Sequence, residues 1–187
     1  INRDLEVVDD IPTFNTSMLP SSLENYCYTD LRSNTSHKFI RDCNNVKELI
    51  LENERVVEPE HMKRLNVFNS IAAGSPIQIN SLVEEEFYLP QEWIPSGNDY
   101  YMVKVKGDSM INASICDGNF VVIRHQNTAN NYDIVAVDLD GNTTLKRFVR
   151  MGDTILLMPE NPTYEPIPVL EGQMRVLGVA VGVVRNL

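Results

Sequence analysis

A serine and a lysine stand out as residues whose chemistry could support nucleophilic catalysis. Ser109 lies in VKGDSMI, directly after the alternating run YYMVKV, and Lys146 lies inside TTLKRFV. A serine hydroxyl becomes a nucleophile when a neighbouring group takes its proton. A lysine acts as that base when burial in apolar surroundings lowers its pKa. Ser109 and Lys146 are therefore candidates for a nucleophile and its base.

Each of these residues also has an ordinary interpretation. Gly-Asp-Ser after an apolar run is typical of a turn that ends a strand, and Lys146 in a strand can equally face solvent. Histidine is the more usual partner of a nucleophilic serine. The chain has three histidines, none of them in the Asp-x-x-His context of GDS-type lipid hydrolases: His37, His61 and His125. A Ser-His-Asp triad is therefore disfavoured.

The elements that must hold the serine and the lysine are predicted to be strands. In the second half of the chain, short apolar or alternating runs recur between turn signals: YYMVKVK, FVVIRH, DIVAVDLD, TTLKRFVR, TILLMP and MRVLGVAVGVVRNL. This pattern predicts an all-β meander of the sandwich or barrel type. Asp140-Gly141 between two such runs is a strong hairpin signal. The strand after it places Thr144, Lys146 and Phe148 on one face.

Residues 1–65 have a different character, because they are polar and rich in Asn and Ser. A helix is predicted at about 46–56, with Asn45 as its N-cap and Glu48 at the capping-box position. A second helical turn is predicted from Pro59. Nothing in this region has the length and basic surroundings of a DNA-reading helix-turn-helix.

Composition limits the possible functions. The 187 residues carry a formal net charge of −10, which argues against this chain gripping nucleic acid by itself. No run approaches the roughly 18 apolar residues of a membrane span, and INRDLEVVDD does not have the pattern of a secretory signal. Three widely spaced cysteines indicate reduced core thiols of a cytosolic protein, without a disulfide framework or a zinc site: Cys27, Cys43 and Cys116.

From about Leu65 to Leu187 the chain resembles the LexA-type self-cleaving regulators. That family includes LexA, phage repressors of the lambda type and the SOS mutagenesis polymerase subunit, and its peptidase fold is related to signal peptidases. The segments that carry the resemblance are GDSM, DGN at 117–119, TLKRF, LMPENPTYEPI at 157–167 and LGVAVGVVRN. The separation of 37 residues between Ser109 and Lys146 also fits the family.

The resemblance implies a mainly β fold, with a LexA/signal-peptidase-like β pseudo-barrel after a small, partly helical N-terminal region. It implies that Ser109 attacks the carbonyl of Ala73 in SIAAGSP, that Lys146 is the base and then the acid, and that Ala73–Gly74 is cut. Backbone N–H groups of Asp108 and Ser109 would hold the oxyanion. Some members have Met where this chain has Asp108, a mild departure because a backbone donor does not depend on its side chain. No metal or other cofactor is implied.

The predicted organisation has three parts: an N-terminal region of open role (1–65), a cleavage loop with its connecting segment (66–98), and the autopeptidase and dimerisation core (99–187). The expected protein is the regulatory part of a LexA-like transcriptional repressor, a cytoplasmic homodimer that cuts itself in the SOS response to DNA damage. The expected partners are a recombinase filament on single-stranded DNA and, through a domain upstream of Ile1, operator DNA.

Two other functions stay open from the sequence. One is a self-cleaved accessory subunit of an error-prone DNA polymerase, which GDSMI and DGN fit as well. The long region upstream of Ala73 favours the repressor, because that subunit needs only a short tail to remove. The other is a Ser-Lys peptidase that acts on other proteins, which the absence of a membrane anchor disfavours.

Overall fold

The computed structural model describes residues 23–42, 49–51, 56–69, 83, 85–170 and 172–187. In that part of the chain, thirteen strands join one sheet, so the mainly β fold is confirmed. The strands are β1 (Leu23–Asp30), β2 (Thr35–Asp42), β3 (Leu49–Leu51), β4 (Val56–Val57), β5 (Met62–Phe68), β6 (Glu85–Pro90), β7 (Tyr100–Lys104), β8 (Phe120–His125), β9 (Ile134–Leu139), β10 (Asn142–Met151), β11 (Thr154–Met158), β12 (Ile167–Leu170) and β13 (Met174–Asn186). Short 3-10 helices span Pro59–His61, Gln91–Trp93 and Ile111–Ala113.

Strand β13 is the hub of the sheet. It pairs with β9 through residues 174–179 and with β1 through residues 182–186, while residues 178–184 pair with β8 on the opposite edge. Both edges of β13 are therefore occupied by strands of the same chain. Its continuous buried run, residues 177–184, suits this position, because a strand enclosed on its edges and faces is apolar throughout.

The sheet extends from this hub in three directions. One arm runs from β9 through β10 and β11 to β12, and another runs from β1 through β2 and β3 to β4. The third arm runs from β8 through β7 to β5 and β6. Within it, β5 lies antiparallel to β6 and parallel to β7. This arm brings the strand before residue 70 to the strand that leads into the Ser109 turn.

An aromatic stack joins the upstream strands to the rest of the molecule. Tyr28 of β1 is completely buried and lies parallel to Trp93, with ring centroids 5.2 Å apart. His37 of β2 stacks near Trp93, with centroids 4.8 Å apart. Gly182 of β13 leaves room for this packing, because a Cβ there would come within 2.3 Å of the Tyr28 ring. The upstream strands therefore belong to the shared core.

The hairpin predicted at Asp140-Gly141 is confirmed. The turn joins β9 to β10, and Leu139 pairs with Asn142 across it. Both turn residues have positive φ, 49° for Asp140 and 91° for Gly141, as a type I′ turn requires. The strand that follows has Lys146 and Phe148 buried, in agreement with the predicted face.

The helix predicted at 46–56 is wrong where the structure describes the chain. Leu49–Leu51 and Val56–Val57 are strands, and the first of them pairs with Phe39–Arg41 of β2. The pairing supplies backbone partners along the edge of β2, and this tertiary contact overrides the local helix signals. The turn predicted from Pro59 is present as the single 3-10 turn Pro59–His61.

Other early expectations have mixed outcomes. Asn45, Glu48 and Cys43 lie outside the described residues. The prediction of core thiols is wrong for Cys116, which is exposed, and for Cys27, which is only partly buried. In the described ranges no helix is both long and apolar enough to cross a membrane.

Candidate active site

Ser109 lies in a tight turn directly after β7. Gly107 at the start of this turn has a φ of 92°, which favours glycine because other residues are strained there. Its N–H donates to the Asp117 carboxylate over 2.7 Å, and the Gly118 N–H donates to the Val105 carbonyl over 2.9 Å. The DGN segment at 117–119 therefore supports the turn that presents the serine.

Lys146 extends from β10 to the same point. Its side chain is 6% exposed, and its Nζ lies 2.9 Å from the Ser109 Oγ. The same Nζ lies 2.8 Å from the Thr144 Oγ1 and 2.8 Å from the Leu145 carbonyl oxygen. Burial lowers the pKa of Lys146 below the ordinary lysine value, because the charged ammonium loses water. The solvent-facing alternative for this lysine is excluded.

The peptide between Asp108 and Ser109 is held by a buried amide. Asn161, 5% exposed, donates from Nδ2 to the Asp108 carbonyl oxygen over 3.0 Å. Its Oδ1 accepts from the Thr163 N–H over 3.1 Å and from the Thr163 Oγ1 over 2.9 Å. Since a backbone N–H can only donate, Oδ1 must face Thr163, and the NH₂ group must face Asp108. Asn161 thus orients the peptide that carries the Ser109 N–H.

The segment around Asn161 also forms backbone hydrogen bonds with the turn that carries Ser109. The Glu160 N–H donates to the Ser109 carbonyl over 2.8 Å, and the Glu160 carbonyl accepts from the Asn112 N–H over 2.8 Å. The Glu160 carboxylate forms an ion pair with Arg147, the residue after Lys146 on β10. One segment therefore links the turn that carries the serine to the strand that carries the lysine.

The Asp108 side chain also has a partner in this segment. The Tyr164 hydroxyl donates to the Asp108 carboxylate, and this bond raises the pKa of Tyr164. The Asp108 and Ser109 N–H groups make no hydrogen bond to another described residue. The family resemblance implies that these N–H groups hold the oxyanion.

A cleft of about 130 Å³ opens beside Ser109. Its walls come from the end of β7 with the turn after it, from the start of β10, and from Asn69 after β5. Ala73 and Gly74, the expected scissile pair, lie outside the described residues. In the part of the chain that is described, no group of three or more His, Cys, Asp or Glu side chains is arranged to hold a metal ion.

The structure brings Ser109 and Lys146 together, and it adds contacts from residues to which the sequence assigned no chemical role. Thr144 lies two residues before Lys146 on the same strand face, so period-two alternation was a usable signal for it. Asn161, Glu160 and Tyr164 lie in LMPENPTYEPI, which carried the family resemblance but suggested no role. Their contacts are long-range, so no local pattern could have revealed them.

This fold and this site define the class of mainly β peptidases, and comparison with known families agrees. Residues 66–181 match the family described as Peptidase S24-like, and the chain belongs to that family. β1 to β4 lie before the matched range.

Within this family the chain is LexA-like. It is 48% identical over 121 residues to the LexA repressor of Mycolicibacterium smegmatis. The aligned region covers 65% of this chain and 49% of that protein. It is 46% identical to LexA repressor 2 of Nocardia farcinica, with the same coverage. It is 47% identical to the LexA repressor of Mycobacterium tuberculosis, covering 65% of this chain and 50% of the relative. The chain thus spans about half the length of the curated relatives it matches.

Proposed function

We propose that this chain is the self-cleaving regulatory part of a LexA-like transcriptional repressor. The Peptidase S24-like match and the relatives named LexA repressor support this proposal. The observation that carries it is the contact between Ser109 and Lys146, because a buried amine 2.9 Å from a hydroxyl can take its proton. The chain then acts as a serine peptidase on its own Ala73–Gly74 bond.

The hydrogen bonds of Lys146 suit a neutral amine. A neutral Nζ has two N–H donors and one lone pair. The Leu145 carbonyl can only accept, and the Thr144 hydroxyl is able to accept, so these two oxygens take the two donors. The lone pair is then available for the hydroxyl proton of Ser109. A lowered pKa of Lys146 increases the fraction of this neutral form near neutral pH.

The proposed reaction has two halves. Ser109 Oγ attacks the Ala73 carbonyl carbon while its proton passes to Lys146 Nζ, and the oxyanion accepts from the Asp108 and Ser109 N–H groups. Lys146 then gives the proton to the Gly74 nitrogen as the C–N bond breaks, which leaves an ester between Ser109 and Ala73. Water, deprotonated by the same lysine, hydrolyses the ester and restores the serine.

The pairing of β5 with β7 supports cleavage within one molecule. Residues 67–68 lie opposite residues 102–103, in parallel and with an offset of 35 residues. β5 therefore runs beside the strand that leads into the Ser109 turn, in the same direction. Asn69, which precedes the cleavage segment, already lines the cleft of Ser109. Four residues of extended chain reach about 14 Å, so the bond is within range of its own serine.

Repression itself requires DNA contacts that we assign to a domain upstream of Ile1. Residues 1–187 have a net charge of −10 and should bind nucleic acid poorly, because that binding depends on clustered Lys and Arg. In this proposal the protein acts in the cytoplasm, and DNA damage triggers the cut through a recombinase filament on single-stranded DNA. Cleavage would end repression as part of the SOS response.

A homodimer belongs to the same proposal, and the fold limits where two copies meet. β9 and β1 occupy one edge of β13, and β8 occupies the other. Along residues 178–184, a second copy therefore cannot add its own strand on the β8 side of β13 without displacing β8.

Self-cleavage is tested by incubating the purified chain between pH 7 and 10 and measuring fragment masses over time. We expect cleavage between Ala73 and Gly74, with a rate that rises about tenfold per pH unit while Lys146 is mostly protonated. Because burial lowers the Lys146 pKa, the rate should level off below pH 10.5, the ordinary lysine value. Fragments with other ends, or a rate that falls as the pH rises, would contradict the proposal.

A further inference from the structure

The segment that contains the proposed cut divides the sheet into two sets of strands. Any cut within residues 70–82 leaves β1 to β5 on the upstream product and β6 to β13 on the downstream product. The two sets are not separate bodies. Three ladders cross the cut: β5 with β6, β5 with β7, and β1 with β13. What happens after cleavage depends on how strongly these contacts join the products.

Strand β5 is held between two downstream strands. Residues 62–67 pair with residues 85–90 of β6, and residues 67–68 pair with residues 102–103 of β7. Side chains reinforce this ladder, because Arg64 lies 3.2 Å from the Glu86 carboxylate. The upstream product therefore ends, just before the cut, with a strand whose partners both belong to the other product.

Strand β1 makes a second, remote attachment to β13. Residues 26–30 pair with residues 182–186, and the Leu31 N–H donates to the Val181 carbonyl over 3.0 Å. The Arg185 guanidinium donates to the Thr29 Oγ1 over 2.7 Å, which adds a side-chain hydrogen bond between the two strands. Separating the products would leave these backbone groups without their partners.

The apolar core is shared in the same way. One cluster contains buried side chains of both products, so separation would expose its two halves to water. The upstream members are Tyr26, Tyr28, Phe39, Val57, Met62, Leu65 and Val67. The downstream members are Phe87, Leu89, Trp93, Ile94, Met102, Phe120, Val122, Val181 and Val184. A cluster with large aromatic rings on both sides resembles a domain core cut in half, as permanent interfaces do.

We propose that self-cleavage nicks this protein without separating its products. The upstream product, residues 1–73, stays bound to 74–187 as a tightly fitting partner, through β1, β5 and the shared core. This inference rests on the proposed function only for the presence of a cut in residues 70–82. Any segment that precedes Ile1 would stay attached to the core after the cut.

The test compares one cleaved sample under denaturing and native conditions. The chain is allowed to cleave at alkaline pH, returned to neutral pH, and divided between a denaturing gel and size-exclusion chromatography with light scattering. We expect two fragments on the gel and one native species with the mass of the uncut protein. A separate peak of 74–187, or its precipitation while 1–73 stays in solution, would overturn the proposal.

A second experiment, in which the chain is nicked by an added protease, distinguishes failure of this inference from failure of the proposed function. In a Ser109→Ala chain, the recognition sequence of a site-specific protease is placed within residues 76–82 and cut from outside. If the parental chain never cuts itself but this nicked chain keeps the native mass, self-cleavage is wrong and the interface stands. If the externally nicked chain falls apart, the interface is wrong whatever the parental chain does.

A matched pair of variants tests where the products are held. Tyr28→Ala removes a completely buried ring from the interface, whereas Tyr132→Ala removes a ring that is 64% exposed. Dilution of the nicked proteins should show about 30-fold weaker association for Tyr28→Ala and the parental association for Tyr132→Ala. Equal association of both variants would overturn the role of β1. Because the association is measured after nicking, folding of Tyr28→Ala is checked beforehand on the uncut chain.

Discussion

The residues that match the peptidase family and the strands before them belong to one sheet but contribute different things. The matched range, 66–181, contains Ser109, which lines the cleft, together with Lys146, which contacts Ser109, and Asn161, which binds the Asp108 carbonyl. Among the described residues of 23–57, none lines that cleft, although three aromatic side chains there are buried: Tyr26, Tyr28 and Phe39. The comparison shows that one part supplies the reactive geometry while the other completes the core. Substitutions at the reactive residues should therefore impair cleavage, whereas substitutions in the shared core should impair stability.

The largest effect is expected at the reactive pair. Ser109→Ala and Lys146→Ala should each slow self-cleavage by at least about 10³-fold, because neither the nucleophile nor its base has a substitute. The thermal midpoint should stay close to the parental value, since neither change removes a large apolar group. Fragment yield and circular dichroism measure the two properties. Lys38→Ala, which removes an exposed lysine from β2, is the matched control. Cleavage of Lys146→Ala at the rate of Lys38→Ala would refute Lys146 as the base.

Stability, unlike cleavage, should depend equally on both parts. Phe39→Ala, in the upstream strands, and Phe148→Ala, in the matched range, each remove a ring that is at most 3% exposed. Each should lower the free energy of unfolding by about 3–5 kcal/mol. Because the core is shared, Phe39→Ala should unfold in one transition, as the parental chain does. Calorimetry that resolved a separate early transition for Phe39→Ala would show that the upstream strands fold as their own unit.

Asn161→Asp refines the contrast inside the matched range. The aspartate keeps an oxygen for the Thr163 donors but loses the NH₂ group that binds the Asp108 carbonyl. Loss of a direct oxyanion donor costs about 10²–10³-fold, so we expect a smaller loss of about 10–100-fold for this indirect change. Asn131→Asp makes the same change at an exposed asparagine that accepts from Arg150. Cleavage of Asn161→Asp within twofold of this control would show that the bond is only structural.

The smallest effect is expected at Thr144. Thr144→Val removes the hydroxyl that accepts from Lys146 Nζ but keeps the shape of the side chain. The ammonium form loses an acceptor, so the Lys146 pKa should fall further and the midpoint of the pH–rate profile should move to lower pH. The maximal rate should fall only a few-fold, about 2–5-fold, because the lone pair still faces Ser109. Thr154→Val is the control, and a midpoint that rises would contradict the role of Thr144.

The two parts also differ in how far sequence could predict them. In the matched range, apolar runs between turn residues located strands such as Phe120–His125 correctly, because a strand buried on both faces is a continuous apolar run. β12 was missed, since its four residues include Pro168 and show no clear alternation. Ser109 and Lys146 were found because each lies in a segment with a recognisable chemical signature.

Where partners are distant in sequence, local patterns gave the wrong result or none. Leu49–Leu51 was predicted as part of a helix from spacing and capping signals, but the strand forms because β2 offers a free edge. Asn161 was given no role from the sequence, because its role depends on a carbonyl 53 residues away. Such contacts depend on the whole topology, which no short stretch of sequence contains.

The pairing of β1 with β13 also affects how the protein is made. The Thr29–Arg185 bond joins residues 156 positions apart, near the greatest separation this sheet contains. During synthesis β1 must therefore wait, with Tyr28 exposed, until residue 186 has been added and β13 can form. Closing such distant contacts is slow, and chains with unpaired strand edges tend to associate wrongly in the meantime. Production of this protein should accordingly benefit from slow expression at low temperature, which gives each chain time to close before it meets another.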